Sequence, residues 1–253
     1  MASGILVALL GAVGLAGSLA VPAAAEPIPR NIAAAVADTS RPSDDTNLDA
    51  ARKPAETLAF ARVRPGEVVV DFFPGGGYFS RLFSAAVGPG GKVYAFTPAE
   101  IGPLMKKPLP VSGSHPDPAR PNITALVAPV NDFATPEPAD LVFTAQNYHD
   151  LHDPFMGPAD LNKFNAKVFK ALNRGGLYVV LDHAAPDGSG LASTNTTHRI
   201  DPAVVKQEVT AAGFVLAGEG DFLRNPADDH TKLVFDPAIR HHTDQFIYLF
   251  KKP

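Results

Sequence analysis

The sequence predicts an α/β protein with a mostly parallel β-sheet, and three observations support this prediction. A β-branched run at 68–70 ends in Asp71, and a turn with glycine at 75–77 then leads into a segment with helical spacing. A second apolar run at 92–96 follows within about 30 residues, which makes a right-handed βαβ unit. Alternating strand and helix patterns continue to residue 212 and predict the rest of the sheet.

The composition is typical of one globular domain with appendages. The chain has 253 residues, of which 45% are hydrophobic and 19% charged, so it can bury a sizeable core. It contains no cysteine, which excludes disulfides, thiolate metal sites and cysteine nucleophiles. The net charge is −4 and the basic residues are scattered, so the sequence indicates no basic patch that would bind nucleic acid. We therefore expect a small-molecule partner and no nucleic acid, and no oligomeric state is indicated.

Residues 1–25 have the pattern of a secretory signal peptide. An apolar run at 5–20 is followed by Pro22 and then by the small residues Ala23 to Ala25. The run is about 15 residues long, whereas a membrane-spanning helix needs about 20. We expect cleavage before Glu26, a periplasmic or secreted mature protein, and no stable membrane insertion after processing. The alternative is a retained N-terminal anchor.

Residues 26–63 predict a helical N-terminal extension, and residues 64–253 form the main domain. The helical spacing of the extension is interrupted at Pro42 and Pro54. Extensions of this kind cover a sheet edge or close over a binding site. We expect this one only to pack against the main domain.

The remaining elements follow from local signals. A helix over 78–87 ends at the glycine- and proline-rich stretch 88–91. A helix over 161–172 ends before Gly175-Gly176, and a strand over 177–183 follows. Asp201 and Pro202 predict the start of a helix that runs to Gly213. Further strands are predicted at 122–127, 139–145, 214–222 and 244–250.

The glycine turn is the first candidate binding site. Glycine lacks the Cβ atom that would keep a ligand off the backbone, and the helix that follows offers unpaired N–H groups and a positive dipole end. Nucleotide-like ligands suit such a turn. The alternative is a turn that only packs an α/β core.

At two motifs the chain resembles the class I S-adenosylmethionine-dependent methyltransferases. Their first motif is a strand, an acid and a G-x-G-x-G turn; aligned on Asp71, the second and third glycines fall on Gly75 and Gly77, and the first falls on Phe73. The second match is the stretch of helix, glycine pair and strand at 161–183. The resemblance implies a Rossmann-like fold with a seven-stranded, mostly parallel sheet whose last strand is antiparallel. It also implies S-adenosylmethionine as cofactor.

The resemblance further implies which residues contact the cofactor. The family's ribose-binding acid falls on Thr97, so either Glu100 substitutes for it from the next turn or ribose binding is weakened. The implied contacts together are Asp71, Phe73, Pro74, Gly75, Gly76, Gly77, Thr97, Glu100, Asp132, Phe133 and Asn147.

A polar segment at 146–153 follows the fourth predicted strand, at the sheet edge where open α/β sheets bind ligands. Tyr148, His149 and Asp150 are the predicted catalytic residues, because they can furnish a general base or a substrate clamp. The alternatives are a capping loop with surface histidines and a His-x-x-His metal site; we predict no metal. The predicted substrate-binding residues are His183, His198 and Arg199, and for Arg199 the alternative is a salt bridge that fixes its loop.

Two functions follow from these patterns. The first is an S-adenosylmethionine-dependent methyltransferase acting on a small molecule, which motif order favours. The second is a secreted ligand-binding protein, or an enzyme of another class such as a hydrolase, on the same fold. The export signal, Phe73 and Thr97 favour the second.

Overall fold

The computed structural model describes residue 1 and residues 27–104, 118–157 and 159–253. The predicted signal peptide, apart from Met1, lies outside the described residues. Among the described residues, no helix combines the length and the apolar character that a bilayer crossing needs.

The described chain is built on one seven-stranded sheet with the order β3-β2-β1-β4-β5-β7-β6. The first five strands pair in parallel, and β7 runs antiparallel to both β5 and β6. This arrangement confirms the predicted fold. The strands are β1 (Val68–Phe72), β2 (Lys92–Pro98), β3 (Ile123–Ala128), β4 (Ala139–Ala145), β5 (Leu172–His183), β6 (Val215–Gly220) and β7 (Gln245–Lys251).

Helices flank the sheet, and four short ones precede it. Short 3₁₀ turns lie at Ala99–Leu104, Val130–Asp132, His149–His152 and Pro154–Met156. The α-helices are α1 (Arg30–Val36), α2 (Ser43–Thr46), α3 (Asp49–Arg52), α4 (Pro54–Phe60), α5 (Tyr78–Val87), α6 (Leu161–Ala171), α7 (Thr194–Thr197) and α8 (Pro202–Ala211).

The two faces of the sheet bury separate apolar clusters. Val69 contributes to one face, where it meets residues of α1, α4 and α5. The next residue, Val70, contributes to the opposite face, which α6 and α8 cover. The alternation follows from the two-residue period of a strand. Each fully buried Leu or Phe side chain in these clusters contributes about 1.5–3 kcal/mol, so the sheet is a rigid platform for the loops at its edges.

Strand β5 differs from its predicted bounds. It begins at Leu172, directly after α6, and therefore includes the Gly175-Gly176 pair that was expected to precede it. The pairing of β4 with β5 shifts register between Ala139 and Leu141, and Gly175 has a φ of 80°. A glycine inside an irregular strand start accommodates this bulge.

The start of α8 is as predicted. Asp201 is the N-cap and accepts a 2.9 Å hydrogen bond from the N–H of Ala203, and Pro202 occupies the first helical position.

Candidate functional site

The glycine turn leaves β1 at the carboxyl edge of the sheet. Its backbone is open: beyond the adjacent residues, a Cβ atom added at Gly75 or Gly76 would meet no atom of the described chain within 4 Å. Helix α5 starts at Tyr78, immediately after the turn. A ligand could therefore contact both the backbone of the turn and the N-terminus of α5.

A cavity of about 260 Å³ lies against this turn. Parallel neighbours β1, β4 and β5 all end at its floor, as expected for ligand sites in open α/β sheets. Ten of the predicted site residues line it: Asp71, Phe73, Pro74, Gly75, Gly76, Asn147, His149, Asp150, His183 and His198.

The backbone is strained at three points on the cavity wall. Phe73, Gln146 and His198 have positive φ values of 59°, 62° and 53°. Non-glycine residues in this region cost of order 1 kcal/mol or more, and such strain concentrates at functional sites. Phe73 thus adopts the left-handed backbone that the family's first glycine would adopt without strain.

Asp71 forms the base of the cavity. Its carboxylate is buried and accepts a hydrogen bond from the Ser80 hydroxyl. Burial raises the pKa of Asp71 to about 7, although Ser80 and the positive charge of Arg52 oppose the shift. The carboxyl group therefore titrates near neutral pH.

Arg52, from the N-terminal extension, lines the same cavity. Its guanidinium carbon lies 4.5 Å from the ring centroid of Tyr78, and within the described chain the guanidinium makes no hydrogen bond or ion pair. Burial lowers its pKa, while the charges of Asp45 and Asp71 oppose the shift. The extension therefore does more than pack, because it places in the cavity wall a cation that has no bonded partner among the described residues.

His149 is held at the end of β4 by Asp182, at the end of β5. Asp182 is fully buried and accepts hydrogen bonds of 2.8 Å from both the backbone N–H and the ring Nδ1 of His149. It also accepts a bond from the N–H of His183 at 2.7 Å. We assign the proton to Nδ1 because a carboxylate can only accept, so the Nε2 side of the ring faces the remaining partners.

Two polar atoms converge at this Nε2. It lies 3.2 Å from Asp150 Oδ1 and 3.2 Å from His198 Nδ1, and the latter two atoms are 3.6 Å apart. Burial opposes the charge on His149, but Asp182 and Asp150 outweigh it and raise its pKa to about 10. Burial also opposes the charge on Asp150, yet His149 and His198 lower its pKa to about 2. A protonated imidazole has no lone pair to accept a proton, so this arrangement does not suit His149 as the predicted general base.

His183 lies on the cavity wall in a neutral form. Its Nδ1 lies 2.8 Å from the Thr243 hydroxyl. Burial lowers the pKa of His183 to about 3, and the charge of Asp182 only partly opposes the shift.

The other catalytic candidate, Tyr148, points away from the cavity. Its side chain is fully buried, and its hydroxyl bonds Glu208 of α8 and Asn165 of α6. Burial raises its pKa well above the ordinary value. Tyr148 therefore anchors the loop to the helices, while His149 and Asp150, the next residues, reach the cavity.

The predicted ribose contacts do not line the cavity. Both carboxylate oxygens of Glu100 accept the N–H of Val130, at 3.0 and 3.1 Å. The hydroxyl of Thr97 is buried without a hydrogen-bond partner in the described chain. Thr97 lies on β2, on the opposite side of β1 from β4, and Glu100 is already hydrogen-bonded within the chain.

Asp132 and Phe133, two further predicted cofactor contacts, also lie outside the cavity. Phe133 packs among Phe72, Phe96 and Phe164, with ring centroids 4.9–6.0 Å from its own. The side chain of Asp132 is 65% exposed and pairs with Lys167 at 3.4 Å. Gly77, the last residue of the turn, is the N-cap of α5 and does not contact the cavity.

Arg199 is a structural residue, in agreement with the salt-bridge alternative. Its guanidinium is fully buried and donates to the carbonyls of Ala184 and Lys232 and to Asp228. These bonds tie the segment after α7 to two other loops. They fix the backbone that carries His198.

Sequence reasoning missed Asp182 and Arg52 as site residues. Asp182 follows the buried run of β5 at the carboxyl end of the strand, and that position was a usable signal. Arg52 had no such signal, because it lies in the extension, 19 positions before Asp71 in the chain.

Known structures share this fold. No protein-family model and no curated protein matches the chain. A methyltransferase from Mesorhizobium loti, described as S-adenosylmethionine dependent, has a TM-score of 0.54 at 18% identity over 81% of this chain and 99% of its own. The N-methyltransferase NodS from Bradyrhizobium japonicum WM9 has a TM-score of 0.53 at 14% identity, over 83% and 99%.

A third similar structure was solved with the cofactor bound. The glycopeptide N-methyltransferase MtfA, complexed with S-adenosylmethionine, has a TM-score of 0.50 at 16% identity over 79% of this chain and 86% of its own. At these identities the likeness is one of fold. The chain has the Rossmann-like fold of class I S-adenosylmethionine-dependent methyltransferases.

Proposed function

We propose that this protein is an S-adenosylmethionine-dependent methyltransferase that acts on a small molecule. One observation carries the proposal: the open backbone of Gly75 and Gly76 lines the same cavity as Arg52, whose guanidinium has no hydrogen-bonded partner among the described residues. The fold supports it, because structures of the same fold include S-adenosylmethionine-dependent methyltransferases.

The residues at the turn fit the amino-acid end of the cofactor. The open turn admits the aliphatic chain, since a Cβ atom at either glycine would meet nothing. Arg52 would hold the carboxylate through charge-assisted hydrogen bonds, and Asp71 lies at the same cavity to receive the ammonium group. When bound, the cofactor supplies an electrophilic methyl group on a sulfonium.

The adenosine end has no counterpart in the cavity. Thr97 and Glu100 do not line it, and its volume of about 260 Å³ is below the roughly 300–1,000 Å³ of most ligand sites. We therefore assign residues of this chain to the amino-acid end alone.

The substrate side would be the wall formed by His149, Asp150 and His198. Their converging polar atoms can orient a hydroxyl or amine of a small acceptor next to the glycine turn. The cavity volume and the net charge of −4 both favour a small molecule over nucleic acid.

Calorimetry with S-adenosylmethionine and S-adenosylhomocysteine tests this proposal. We expect both to bind with one site per chain. If neither binds to the folded protein, the methyltransferase proposal is rejected.

In that case the second candidate stands: a ligand-binding protein or an enzyme of another class on the same fold. The hydrogen bonds from Val130 to Glu100 favour this second candidate, because Glu100 was expected to bind the ribose and its carboxylate is already engaged. A ligand that binds the cavity in the absence of any nucleoside would support it.

We also propose that the protein is exported, from the pattern of residues 1–25. The mature protein is expected to begin at Glu26. N-terminal sequencing of exported material tests this, and an intact leader in a soluble cytosolic pool would reject it.

A further inference from the structure

We propose that His149, Asp150 and His198 form a binding site for a divalent transition metal of the Zn²⁺ type, open toward the cavity. The site is independent of the cofactor proposal, because none of its ligands belongs to the glycine turn. No metal was predicted from the sequence, in which His198 lies 49 positions from His149.

The distances between the three polar atoms match those between the ligands of one metal ion. His149 Nε2, Asp150 Oδ1 and His198 Nδ1 form a triangle with sides of 3.2, 3.2 and 3.6 Å. In a tetrahedral zinc site with bonds of about 2.0–2.1 Å, neighbouring ligand atoms are roughly 3.3–3.4 Å apart. Each side of the triangle is within about 0.3 Å of that spacing.

Without an ion, the three atoms are joined only by long contacts of 3.2 to 3.6 Å, whereas charge-assisted hydrogen bonds are about 2.7–2.9 Å. With Nδ1 donating to Asp182, His149 has one further N–H, on Nε2, to share between Asp150 and His198. A cation at the centre would displace the Nε2 hydrogen of His149 and then engage one lone pair from each of the three atoms.

Metal-bound histidines commonly donate their other ring N–H to a carboxylate, and Asp182 accepts such a bond from His149. Its carboxylate accepts the Nδ1 hydrogen at 2.8 Å from a fully buried position. Such a bond fixes the tautomer and the ring orientation and raises the basicity of the ligating nitrogen.

Asp153 is an independent observation in favour of a bound cation. Both its carboxylate oxygens are buried and have no hydrogen-bond partner among the described residues. The hydroxyl of Thr194 is close enough to contact Asp153, and it also donates to the carbonyl of Leu191 at 3.3 Å. The charge of Asp153 interacts with His149, Asp150 and His198, so a cation held there would compensate it.

The ligand types select the metal. Two imidazoles and one carboxylate suit Zn²⁺, Co²⁺ or Fe²⁺, whereas Mg²⁺ and Ca²⁺ prefer all-oxygen sites. Three protein ligands leave at least one coordination position free. Because all three residues line the cavity, a water or a substrate oxygen would complete the coordination.

The test uses the full chain, stripped with a chelator and titrated calorimetrically with Zn²⁺, Co²⁺ and Mg²⁺. We expect one equivalent of Zn²⁺ or Co²⁺, a visible absorption spectrum of the Co²⁺ form typical of four or five ligands, and much weaker Mg²⁺ binding. Absence of Zn²⁺ binding, or equal affinity for Mg²⁺, would overturn the proposal.

Two variants locate the metal. His198→Ala is expected to reduce Zn²⁺ affinity by more than the roughly 10–100-fold that follows loss of a supporting partner. Its side chain is 26% exposed, so the substitution should leave the fold intact, which circular dichroism checks. His242→Ala removes an exposed histidine and should change nothing. Zn²⁺ binding lost with His242→Ala but kept in His198→Ala would place the metal on the surface and overturn the assignment.

Discussion

Asp182 accepts two hydrogen bonds of 2.8 Å from His149, one from the backbone N–H and one from the ring. His149 follows β4 and Asp182 lies at the end of β5, and the register of these parallel neighbours places Ala145 of β4 beside Leu181 of β5. The carboxylate thereby fixes both the turn after β4 and the direction of the imidazole. The position and orientation of the His149 ring on the cavity wall therefore depend on Asp182.

We expect Asp182→Asn to destabilise the protein strongly. Breaking a buried charge pair by removing one partner costs about 3–5 kcal/mol, and the amide would also oppose one N–H donor with its own NH₂ group. Chemical denaturation measures the loss in the free energy of unfolding. Asp187→Asn, at an exposed position, is the matched control, and an equal effect of the two substitutions would contradict the role of Asp182.

Gly76→Val is expected to weaken S-adenosylhomocysteine binding by about tenfold or more, because a forced steric overlap costs about 1–3 kcal/mol. The protein itself should tolerate the side chain, since a Cβ atom there meets nothing within 4 Å. Gly90→Val is the matched control: Gly90 is also exposed, also has open space around its Cβ position, and lies outside the cavity. Unchanged affinity in Gly76→Val would show that the turn is structural.

Arg52→Gln is expected to distinguish the two ends of the cofactor. Loss of a charged hydrogen bond costs about 1.5–3 kcal/mol, so S-adenosylhomocysteine should bind about 10–100-fold more weakly. Affinity for 5′-methylthioadenosine, which lacks the amino-acid part, should not change. Arg30→Gln, at an exposed position of α1, serves as control. Equal losses for both ligands would contradict a carboxylate contact.

Asp71 predicts a specific pH dependence of stability. Its pKa is raised by burial from 3.8 to about 7, against the charges of Arg52 and Arg81 and the hydrogen bond from Ser80. The folded state therefore holds the proton over a range in which the unfolded state has lost it. The stabilisation from protonated Asp71 is complete below about pH 4 and is lost as the pH rises through 7. Its size is about 1.4 kcal/mol for each unit by which the folded-state pKa exceeds the unfolded-state pKa.

Asp71→Asn should remove that contribution, because the amide stays neutral at every pH. The measurement is the free energy of unfolding of both proteins between pH 5 and pH 8, and the wild type should lose more stability over this range. Parallel profiles for the two proteins would show that Asp71 does not titrate in this window.

The sequence by itself determined the fold. Strand and helix periodicities, the glycine turn after Asp71 and the cap at Asp201 are local patterns, and the strand order follows from the resemblance that these patterns carry. The same patterns placed His149, Asp150 and the glycine turn on one cavity, since neighbouring parallel strands end at one edge of the sheet.

Only the tertiary structure decided which side chains complete the site. Asp182 and Arg52 come from two separate segments, and the approach of Asp182 to His149 and of Arg52 to the turn depends on packing between distant elements. Tyr148 shows the same limit within one loop, because a 3₁₀ turn directs it into the core while its neighbour His149 reaches the cavity. Periodicity specifies which face of an element is apolar, whereas the direction of a polar side chain in a loop is set by the partners it finds there.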